Sequence, residues 1–287
     1  MDRTTEGWLN GAIGVLIFSG SLPATRVAVA GFDPLFLTGA RASIAGLLAF
    51  CVLAALRESR PQGGELVSLV GVALGVVVGF PLLSALALTH MTSAHSLVFV
   101  GLLPLATAAF GVMRGGERPR PGFWLCALAG AALVAGFSWM RGGGAIATGD
   151  LLMLGAIIAA GFGYAEGGLL SRRLGGWRVI CWALALSLPI MLAWTIVSAP
   201  EELLAAPMRA WVALAYVALF SMLIGFVFWY RGLALGGIAA VGQLQLIQPL
   251  LGLGLAALLL GETVEVSLLF VTIGVVAAVA GAKAFAK

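Results

Sequence analysis

Charged residues are scarce in this sequence. Only 10% of its 287 residues are Asp, Glu, Lys or Arg, whereas 61% are apolar. A soluble domain carries about 25% charged residues, because its surface must be polar enough to meet water. The scarcity of charge therefore excludes an ordinary soluble protein of this length.

Cysteine and histidine are also few. The three cysteines all fall inside apolar runs, so free thiols are expected instead of a disulfide framework. The two histidines have no carboxylate or thiolate at ligand spacing, which predicts no metal site. No Gly-rich motif ending in Lys-Ser/Thr is present, which argues against direct ATP hydrolysis. An intramembrane enzyme would need a nucleophile–base pair, and none stands out, so we expect no enzyme and no resident cofactor.

Ten apolar runs dominate the chain. Each is about twenty residues long, the length that crosses roughly 30 Å of hydrocarbon at about 1.5 Å per residue. The first run has no cleavage-site pattern after a short apolar core, so we interpret it as a retained helix. The sequence therefore predicts an all-α polytopic membrane protein. The predicted transmembrane helices are 8–29, 34–56, 66–88, 93–113, 122–140, 149–170, 177–197, 210–231, 237–260 and 264–283.

The basic residues are distributed unevenly between these runs. With ten spans, both termini and the loops after helices 2, 4, 6 and 8 share one side of the membrane. Of the sixteen Lys and Arg residues, only Arg26, Arg41, Arg141 and Arg209 fall on the other side. The positive-inside rule then predicts an inner (plasma) membrane protein with both termini in the cytoplasm. The net charge of +4 reflects these loops, so we expect the lipid bilayer, and no nucleic acid, as a partner.

The two halves of the chain share a pattern. At an offset of 145, Pro104 falls on Pro249, and Gly116-Glu117 falls on Gly261-Glu262. Because each half has five helices, an odd number, the second half enters the bilayer from the opposite side. Such inverted repeats are typical of secondary transporters, whose substrate site lies near the midplane between the halves. The predicted repeats are residues 1–144 and 145–287.

Two stretches carry a family signature: ALALTHMTSAHSLVFVGLLPLATAAFGVMRGGE (85–117) and GLALGGIAAVGQLQLIQPLLGLGLAALLLGE (232–262). In each, a small-residue turn leads into a helix with a central proline that ends at Gly-Glu. The pair resembles the EamA-type signature of the drug/metabolite transporter superfamily, and is most similar to the branch that exports aromatic and other amino acids. The resemblance implies a ten-helix exporter with a central cavity lined by helices 1, 3, 4, 6, 8 and 9. One departure is the basic loop after Glu117, which has no counterpart after Glu262.

Three amides interrupt an otherwise apolar predicted helix. On an α-helix Gln245 and Gln248 lie about 60° apart and share a face, whereas Gln243 points nearly the opposite way. An amide facing hydrocarbon is costly, so these side chains must face protein or a wet cavity. Gln245 and Gln248 could offer hydrogen bonds to a zwitterionic substrate. The alternative is a structural role, in which the amides form hydrogen bonds between helices worth about 0.6 kcal/mol each.

Proline and glycine also occur inside the predicted helices. Pro104 and Pro249 each delete one backbone hydrogen bond and are expected to kink their helices. They could act as hinges for alternating access, with fixed bends that shape the bundle as the alternative. Gly71, Gly75 and Gly79 form a small-residue stripe on helix 3, which predicts close contact with another helix.

Ionisable residues inside apolar runs are candidates for function. Glu166 could hold a substrate amine or carry a coupling proton, or it could lie in the wet cytoplasmic mouth. Arg26 and Arg41 lie near the predicted outer ends of helices 1 and 2, where structural roles are favoured. Arg41 is about 10 Å along its helix, shallow enough to snorkel outward or to pair with Asp33.

The remaining candidates are rings. His95 and Phe99 are four residues apart on helix 4 and present one face together. By resemblance that helix lines the cavity, so the two rings suit a substrate of mixed character, and a structural histidine is the alternative. Phe18, Tyr164 and Trp229 lie inside the runs, where they could form an apolar cavity wall or pack as ordinary core.

These features together predict a monomeric, alternating-access exporter of amino acids, aromatic ones included. A multidrug or other metabolite exporter of the same fold, or a channel-like facilitator, is the alternative. The candidate substrate-binding residues are Phe18, His95, Phe99, Tyr164, Glu166, Trp229, Gln245 and Gln248, and the candidate hinges are Pro104 and Pro249.

Overall fold

The fold is known from a computed structural model. It describes residues 2–115, 120–141 and 147–284, so the predicted Glu117 corner lies outside the described residues. Every regular element within those ranges is helical, and the described chain contains no strand. An all-helical chain keeps each backbone hydrogen bond within one segment, which is the condition for crossing hydrocarbon.

Fifteen α-helices make up most of the described chain. Several follow one another without a loop, so they form longer helical rods. In chain order they are α1 (Arg3–Ser19), α2 (Ser21–Val29), α3 (Pro34–Ala55), α4 (Gly63–Val72), α5 (Phe80–His90), α6 (Ser93–Val100), α7 (Leu103–Gly115), α8 (Pro121–Arg141), α9 (Thr148–Leu174), α10 (Gly176–Val197), α11 (Met208–Ala215), α12 (Gly225–Gly236), α13 (Ile238–Val241), α14 (Gln248–Leu260) and α15 (Val266–Ala284).

Seven of the described rods are long and apolar enough to cross a membrane. Three shorter apolar helices, Trp124–Phe137, Leu244–Leu260 and Val266–Ala278, fall within predicted helices 5, 9 and 10. Large apolar side chains such as Leu128 and Phe270 are exposed on the outside of the bundle. An apolar exterior of this extent suits lipid better than water.

Three rods are interrupted where the sequence predicts continuous helices. Gly20 separates α1 from α2, and a turn separates α6 from α7. The segment Gly242–Ile247 is a 3-10 helix that leads into α14. The prediction that proline kinks the interior of helices 4 and 9 is therefore wrong. Pro104 and Pro249 are each the second residue of a new helix, α7 or α14, where a missing N–H costs nothing.

Two further rods contain a π-helical segment. Ala73–Gly79 joins α4 to α5, and Tyr216–Ile224 joins α11 to α12. A π-turn is wider than an α-turn and leaves one backbone group per insertion without its usual partner. The two segments occupy corresponding places in the two halves of the chain, since their last residues, Gly79 and Ile224, are 145 positions apart.

The same spacing recurs at other element boundaries. Helices α7 and α14 begin 145 positions apart, at Leu103 and Gln248, and both are 13 residues long. Helices α6 and α13 also begin 145 positions apart, at Ser93 and Ile238. The 145 positions that separate the two prolines in the sequence therefore also separate the starts of the corresponding helices.

Helix α9 crosses the π segment of the third rod at a glycine pair. A Cβ added at Gly75 would lie 2.6 Å from the Ala159 carbonyl oxygen and 2.7 Å from the Cα of Gly163. Only hydrogen fits between backbones at that separation. The prediction that the glycine stripe marks a close helix contact is confirmed for Gly75.

Glu262 joins the two halves at the start of α6. Its carboxylate accepts hydrogen bonds from the backbone N–H groups of Ser93 (3.1 Å) and Ala94 (2.8 Å) and from the Ser93 hydroxyl (2.8 Å). A carboxylate on the first N–H groups of a helix satisfies donors that have no partner within the helix. The Gly-Glu end of the second signature is thus a cap for a helix of the first.

Arg41 does not behave as the sequence predicts. Its side chain is 3% exposed, and its Nη2 donates to the Val217 carbonyl (3.3 Å) and to Ser221 Oγ (3.4 Å). Asp33 instead accepts from Leu35 N and caps α3. The expectation that Arg41 snorkels outward or pairs with Asp33 is wrong, because the guanidinium reaches the π segment of another rod.

The glycine crossing generates a stability prediction. We expect Gly75→Ala to lower the free energy of unfolding by about 1–3 kcal/mol, because the added methyl meets backbone atoms that cannot turn aside. Thermal unfolding in detergent micelles measures the change. Gly254→Ala is the matched control: it lies in α14 with nothing within 4 Å of the added Cβ. An equal loss in both variants would refute the contact as the cause.

The Glu262 cap generates a second prediction. We expect Glu262→Ala to destabilise the protein by about 0.5–2 kcal/mol, the range found for lost helix caps. Ser93→Ala should cost less, because both backbone N–H groups keep their acceptor. Glu201, exposed in the connection before α11, provides the control Glu201→Ala. Chemical unfolding followed by circular dichroism tests this, and a Glu262→Ala protein as stable as Glu201→Ala would contradict it.

Candidate functional site

Four aromatic rings from three rods meet inside the bundle. Phe18 of α1 lies 5.0 Å from Phe226 and 6.3 Å from Trp229, both of α12, between ring centroids. Tyr164 of α9 lies 5.7 Å from each of those two rings. Contacts of this length between tilted and edge-on rings are favourable beyond the area that they bury. All four side chains are buried.

Glycine lets α1 and α12 come close enough for these rings to meet. A Cβ added at Gly232 would lie 2.7 Å from the backbone nitrogen of Gly11. The two helices run side by side because neither carries a side chain at that contact. Phe18 lies on α1 and Trp229 lies on α12. Their rings can therefore meet only because small residues elsewhere along this interface let the two helices come close.

Gln248 reaches the same place from α14. It is 4% exposed, and its Nε2 lies 3.5 Å from the Phe18 carbonyl oxygen, at the limit of a hydrogen bond. Its Oε1 has no hydrogen-bond partner among the described residues. We call Phe18, Tyr164, Phe226, Trp229 and Gln248 the aromatic–glutamine cluster.

Gln245 lies one turn before this cluster and is fully buried. Neither its Oε1 nor its Nε2 has a hydrogen-bond partner among the described residues. A 3-10 helix has three residues per turn, so side chains three apart are eclipsed, and Gln245 leads directly into Gln248. The sequence predicted that the two amides share a face of an α-helix. They do share a face, but because the segment is a 3-10 helix. The side chain of Gln243 is outside what the structure describes.

Buried amides without partners are costly in a protein interior. An unmade hydrogen bond on a buried polar group costs about 1–3 kcal/mol. The indole Nε1 of Trp229 also lacks a hydrogen bond, since it is buried and has no partner in the described chain. These groups can donate to and accept from a polar molecule that enters beside the rings.

Glu166 lies on α9 and is paired with a cation. Both of its carboxylate oxygens accept from Arg114 at the end of α7, one of them at 3.2 Å from Nη2. The carboxylate is 4% exposed, whereas the Arg114 side chain is 55% exposed. Glu166, the candidate for holding a substrate amine or a coupling proton, is therefore half of an ion pair in this conformation.

Besides a longer pair of 3.7 Å between Arg173 and Glu65, two more ion pairs in the described chain join its first half to its second at the same ends of the rods. Arg231 pairs with Glu6. Arg178 makes a two-pronged pair with Glu58, with distances of 2.8 and 2.9 Å. We call these two pairs and Arg114–Glu166 the inner ion pairs, because the charge distribution predicts that those ends face the cytoplasm.

His95 and Phe99 form a different group. The two rings stack at 6.0 Å, and His95 also meets Phe137 edge-on at 5.1 Å. His95 Nε2 lies 3.2 Å from an oxygen of Asp150, a buried carboxylate in the first turn of α9. Phe99 and Asp150 line a cavity of about 200 Å³ that is otherwise apolar.

Helix geometry separates this group from the aromatic–glutamine cluster. Asp150 and Tyr164 lie on the same uninterrupted helix, fourteen residues apart, or about 21 Å at 1.5 Å per residue. The structure thus brings Phe18, Tyr164, Trp229 and Gln248 together, with Gln245 adjacent. His95 and Phe99 lie towards one end of the bundle, whereas Glu166 follows Tyr164 by two residues, about 3 Å along α9.

Phe137, Phe226 and Asp150 belong to these groups and were not predicted. Phe226 was hidden among many apolar residues of α12, although its spacing of three from Trp229 places both on one helix face. Asp150 lies at the start of the predicted helix 149–170, directly after a Gly-rich loop, and was not among the candidate residues. The signal for it was its position, because an acid in the first turn of a helix is stabilised by the helix dipole.

The described residues contain no group of three His, Cys, Asp or Glu side chains that could hold a metal ion. The cluster and the adjacent Gln245 instead offer ring faces, one indole N–H and two amides. Such a set can surround an apolar body and bind a few polar atoms, which is the usual composition of a small-molecule site.

Comparison with known proteins identifies the family of the chain. The model of the EamA-like transporter family matches the chain twice, over residues 5–139 and 147–282. The uncharacterized transporter YdeK of Bacillus subtilis (strain 168) is 62% identical over 287 residues, which is all of both chains. A crystal structure of another protein superposes with a TM-score of 0.62 over 97% of this chain and 96% of the other. At 23% identity that likeness shows the fold alone.

Two family matches that together span nearly the whole chain, and a full-length relative of this identity, leave one assignment. The chain is a multi-pass membrane protein and belongs to the EamA-like transporter family.

Proposed function

We propose that this protein is a secondary transporter that exports amino acids, aromatic ones included, across the inner membrane by alternating access. The observation that carries the proposal is the aromatic–glutamine cluster with the adjacent Gln245, where Phe18 of the first half meets rings and incompletely bonded amides of the second half. An aromatic amino acid has an apolar ring and a hydrogen-bonding backbone moiety, which these two kinds of side chain would bind separately.

The proposed architecture is ten spans in two inverted five-helix repeats. Two adjacent matches to one family model support a duplicated chain. The 145-residue spacing of helix starts and of π segments supports the same division. Five spans in each repeat would place the second repeat upside down relative to the first, with both termini in the cytoplasm.

The inner ion pairs support a conformation in which the cytoplasmic end is shut. Each pair joins a residue before position 144 to one after it, so opening that end separates charges. We propose that Arg114 and Glu166 act as a latch that opens to admit the substrate. A direct contact of Glu166 with the substrate amine is the competing role.

The cargo is tested by efflux from proteoliposomes loaded with labelled amino acids. We expect saturable efflux of phenylalanine, tyrosine or tryptophan by the wild type, and at least a tenfold loss in Gln245→Met. A tenfold change corresponds to about 1.4 kcal/mol, close to one hydrogen bond. The same variant should unfold at a higher temperature, because a thioether needs no partner where the amide had none.

The opposite responses of transport and stability separate two roles of Gln245. If Gln245 instead served only to hold helices together by hydrogen bonds, the Gln245→Met protein would be less stable and would transport normally. Thr272→Ala is the control for losing a buried polar group elsewhere, since Thr272 is fully buried on α15 and bonds to its own helix. Efflux of drugs or other metabolites, with no amino acid carried, would refute the cargo. Flux that does not saturate would indicate a channel.

The latch is tested by exchanging its charges. We expect Arg114→Glu and Glu166→Arg each to reduce efflux severalfold, because each leaves two like charges together. The double exchange should recover at least half of the wild-type rate, since it restores the pair. A carboxylate that binds the substrate amine would not work from position 114. A double variant no better than the singles would therefore favour substrate binding by Glu166 over the latch.

A further inference from the structure

The guanidinium of Arg41 lies inside the bundle without a counter-charge. It is 3% exposed, and no described carboxylate lies within ion-pair distance of it. Burying a cation without an anion is among the most costly arrangements in a membrane protein. Such a group is retained where it has a partner for at least part of its working cycle.

The hydrogen bonds of Arg41 use little of its capacity. A guanidinium has five N–H donors. The two bonds that it makes both leave from Nη2 and are long, at 3.3 and 3.4 Å, and Nε has no partner among the described residues. The planar fork that suits a carboxylate or a phosphate is therefore still largely free.

Hydroxyl groups lie beside this cation. Ser221 Oγ, which accepts from Arg41, is 2.7 Å from Ser21 Oγ. Ser21 begins α2, just after the break at Gly20, and Ser221 lies in the π segment between α11 and α12. Three rods thus contribute one cation and two hydroxyls, and a hydroxyl can also donate to an anion.

This group lies next to the aromatic–glutamine cluster. Ser21 follows Phe18 by three residues, about 4.5 Å along a helix, and Ser221 precedes Phe226 by five residues, about 7 Å. Both neighbours in sequence are rings of the cluster. The separation is comparable to the distance between the ring and the carboxylate of an aromatic amino acid.

We propose that Arg41, with Ser21 and Ser221, binds the carboxylate of the transported substrate while its apolar body lies among the rings of the aromatic–glutamine cluster. The inference rests on the proposed transport function and adds its anion site. Opening of the bundle would admit the carboxylate between α2, α3 and the π segment, where it would accept from Nε and Nη2 in place of the long bonds.

The test compares three ligands that share a phenyl ring. Phenylalanine carries both charges, phenylacetate carries only the carboxylate, and phenethylamine carries only the amine. Equilibrium binding to the purified full-length protein in lipid nanodiscs should rank phenethylamine at least tenfold weaker than phenylacetate. This comparison needs no variant. Phenethylamine that binds as tightly as phenylacetate, or no binding of either carboxylate, would overturn the site.

Variants assign the effect to Arg41. We expect Arg41→Gln to weaken both carboxylate ligands at least tenfold and Arg41→Lys to weaken them less, since lysine keeps the charge without the fork. Arg26→Gln is the matched control, because Arg26 is a partly buried arginine that bonds to the backbone at Leu88. Its affinities should stay within twofold of wild type. Normal carboxylate affinity in a folded Arg41→Gln protein would refute the inference.

The two proposals fail separately. Phenylacetate binding that depends on Arg41, with no amino acid bound or exported, would keep the carboxylate site and reject the amino-acid cargo. Phenylalanine efflux that is unchanged in Arg41→Gln would keep the cargo and reject the site, leaving Arg41 as a support for the π segment.

Discussion

Satisfaction of backbone hydrogen bonds within the bilayer is the constraint on which this structure depends. Hydrocarbon offers no partner to a free N–H or C=O, so irregular backbone can exist at membrane depth only where protein or a polar cavity replaces water. Here the irregular segments are the break at Gly20, the turn between α6 and α7, the 3-10 segment Gly242–Ile247 and two π segments. The helices α3, α8, α9, α10 and α15 contain no such interruption.

The carbonyls beside these interruptions are bound by side chains from other rods. Tyr216 donates to the Ile17 carbonyl at 2.6 Å, and Arg41 donates to that of Val217. Gln248 approaches the Phe18 carbonyl at 3.5 Å. Polar side chains therefore occur beside the interruptions of the backbone, because each supplies the hydrogen-bond partner that the other lacks. The long bonds of Arg41 and Gln248 are the weak members of this set, and a polar ligand could replace them at little cost.

The sequence predicts the parts of the fold that depend on composition and period. Apolar runs predicted the helical class, and the paired signature at 85–117 and 232–262 indicated the family by resemblance. Phe18, Tyr164 and Trp229 were three of the candidate site residues, and the structure brings their rings together. The type of each break was not predictable, because a proline at the start of a helix and one inside it look alike without the backbone. The partners of Arg41, Glu166 and His95 were hidden for another reason: Val217, Arg114 and Asp150 are distant in sequence, and only packing brings them close.

The contacts between the halves differ in kind at the two ends of the bundle. At the predicted cytoplasmic end, the arginines of the inner ion pairs are 42–56% exposed, so water and salt screen the attraction, and only one of the three carboxylates, Glu166 at 4% exposed, is deeply buried. At the other end, Glu262 binds the first N–H groups of α6, and Asp150, only 3% exposed, pairs with His95. Opening there would leave a buried carboxylate and helix donors without partners, which costs more. In an alternating-access cycle this conformation would therefore open more readily at the cytoplasmic end, and the other end would need a bound substrate to offset the cost.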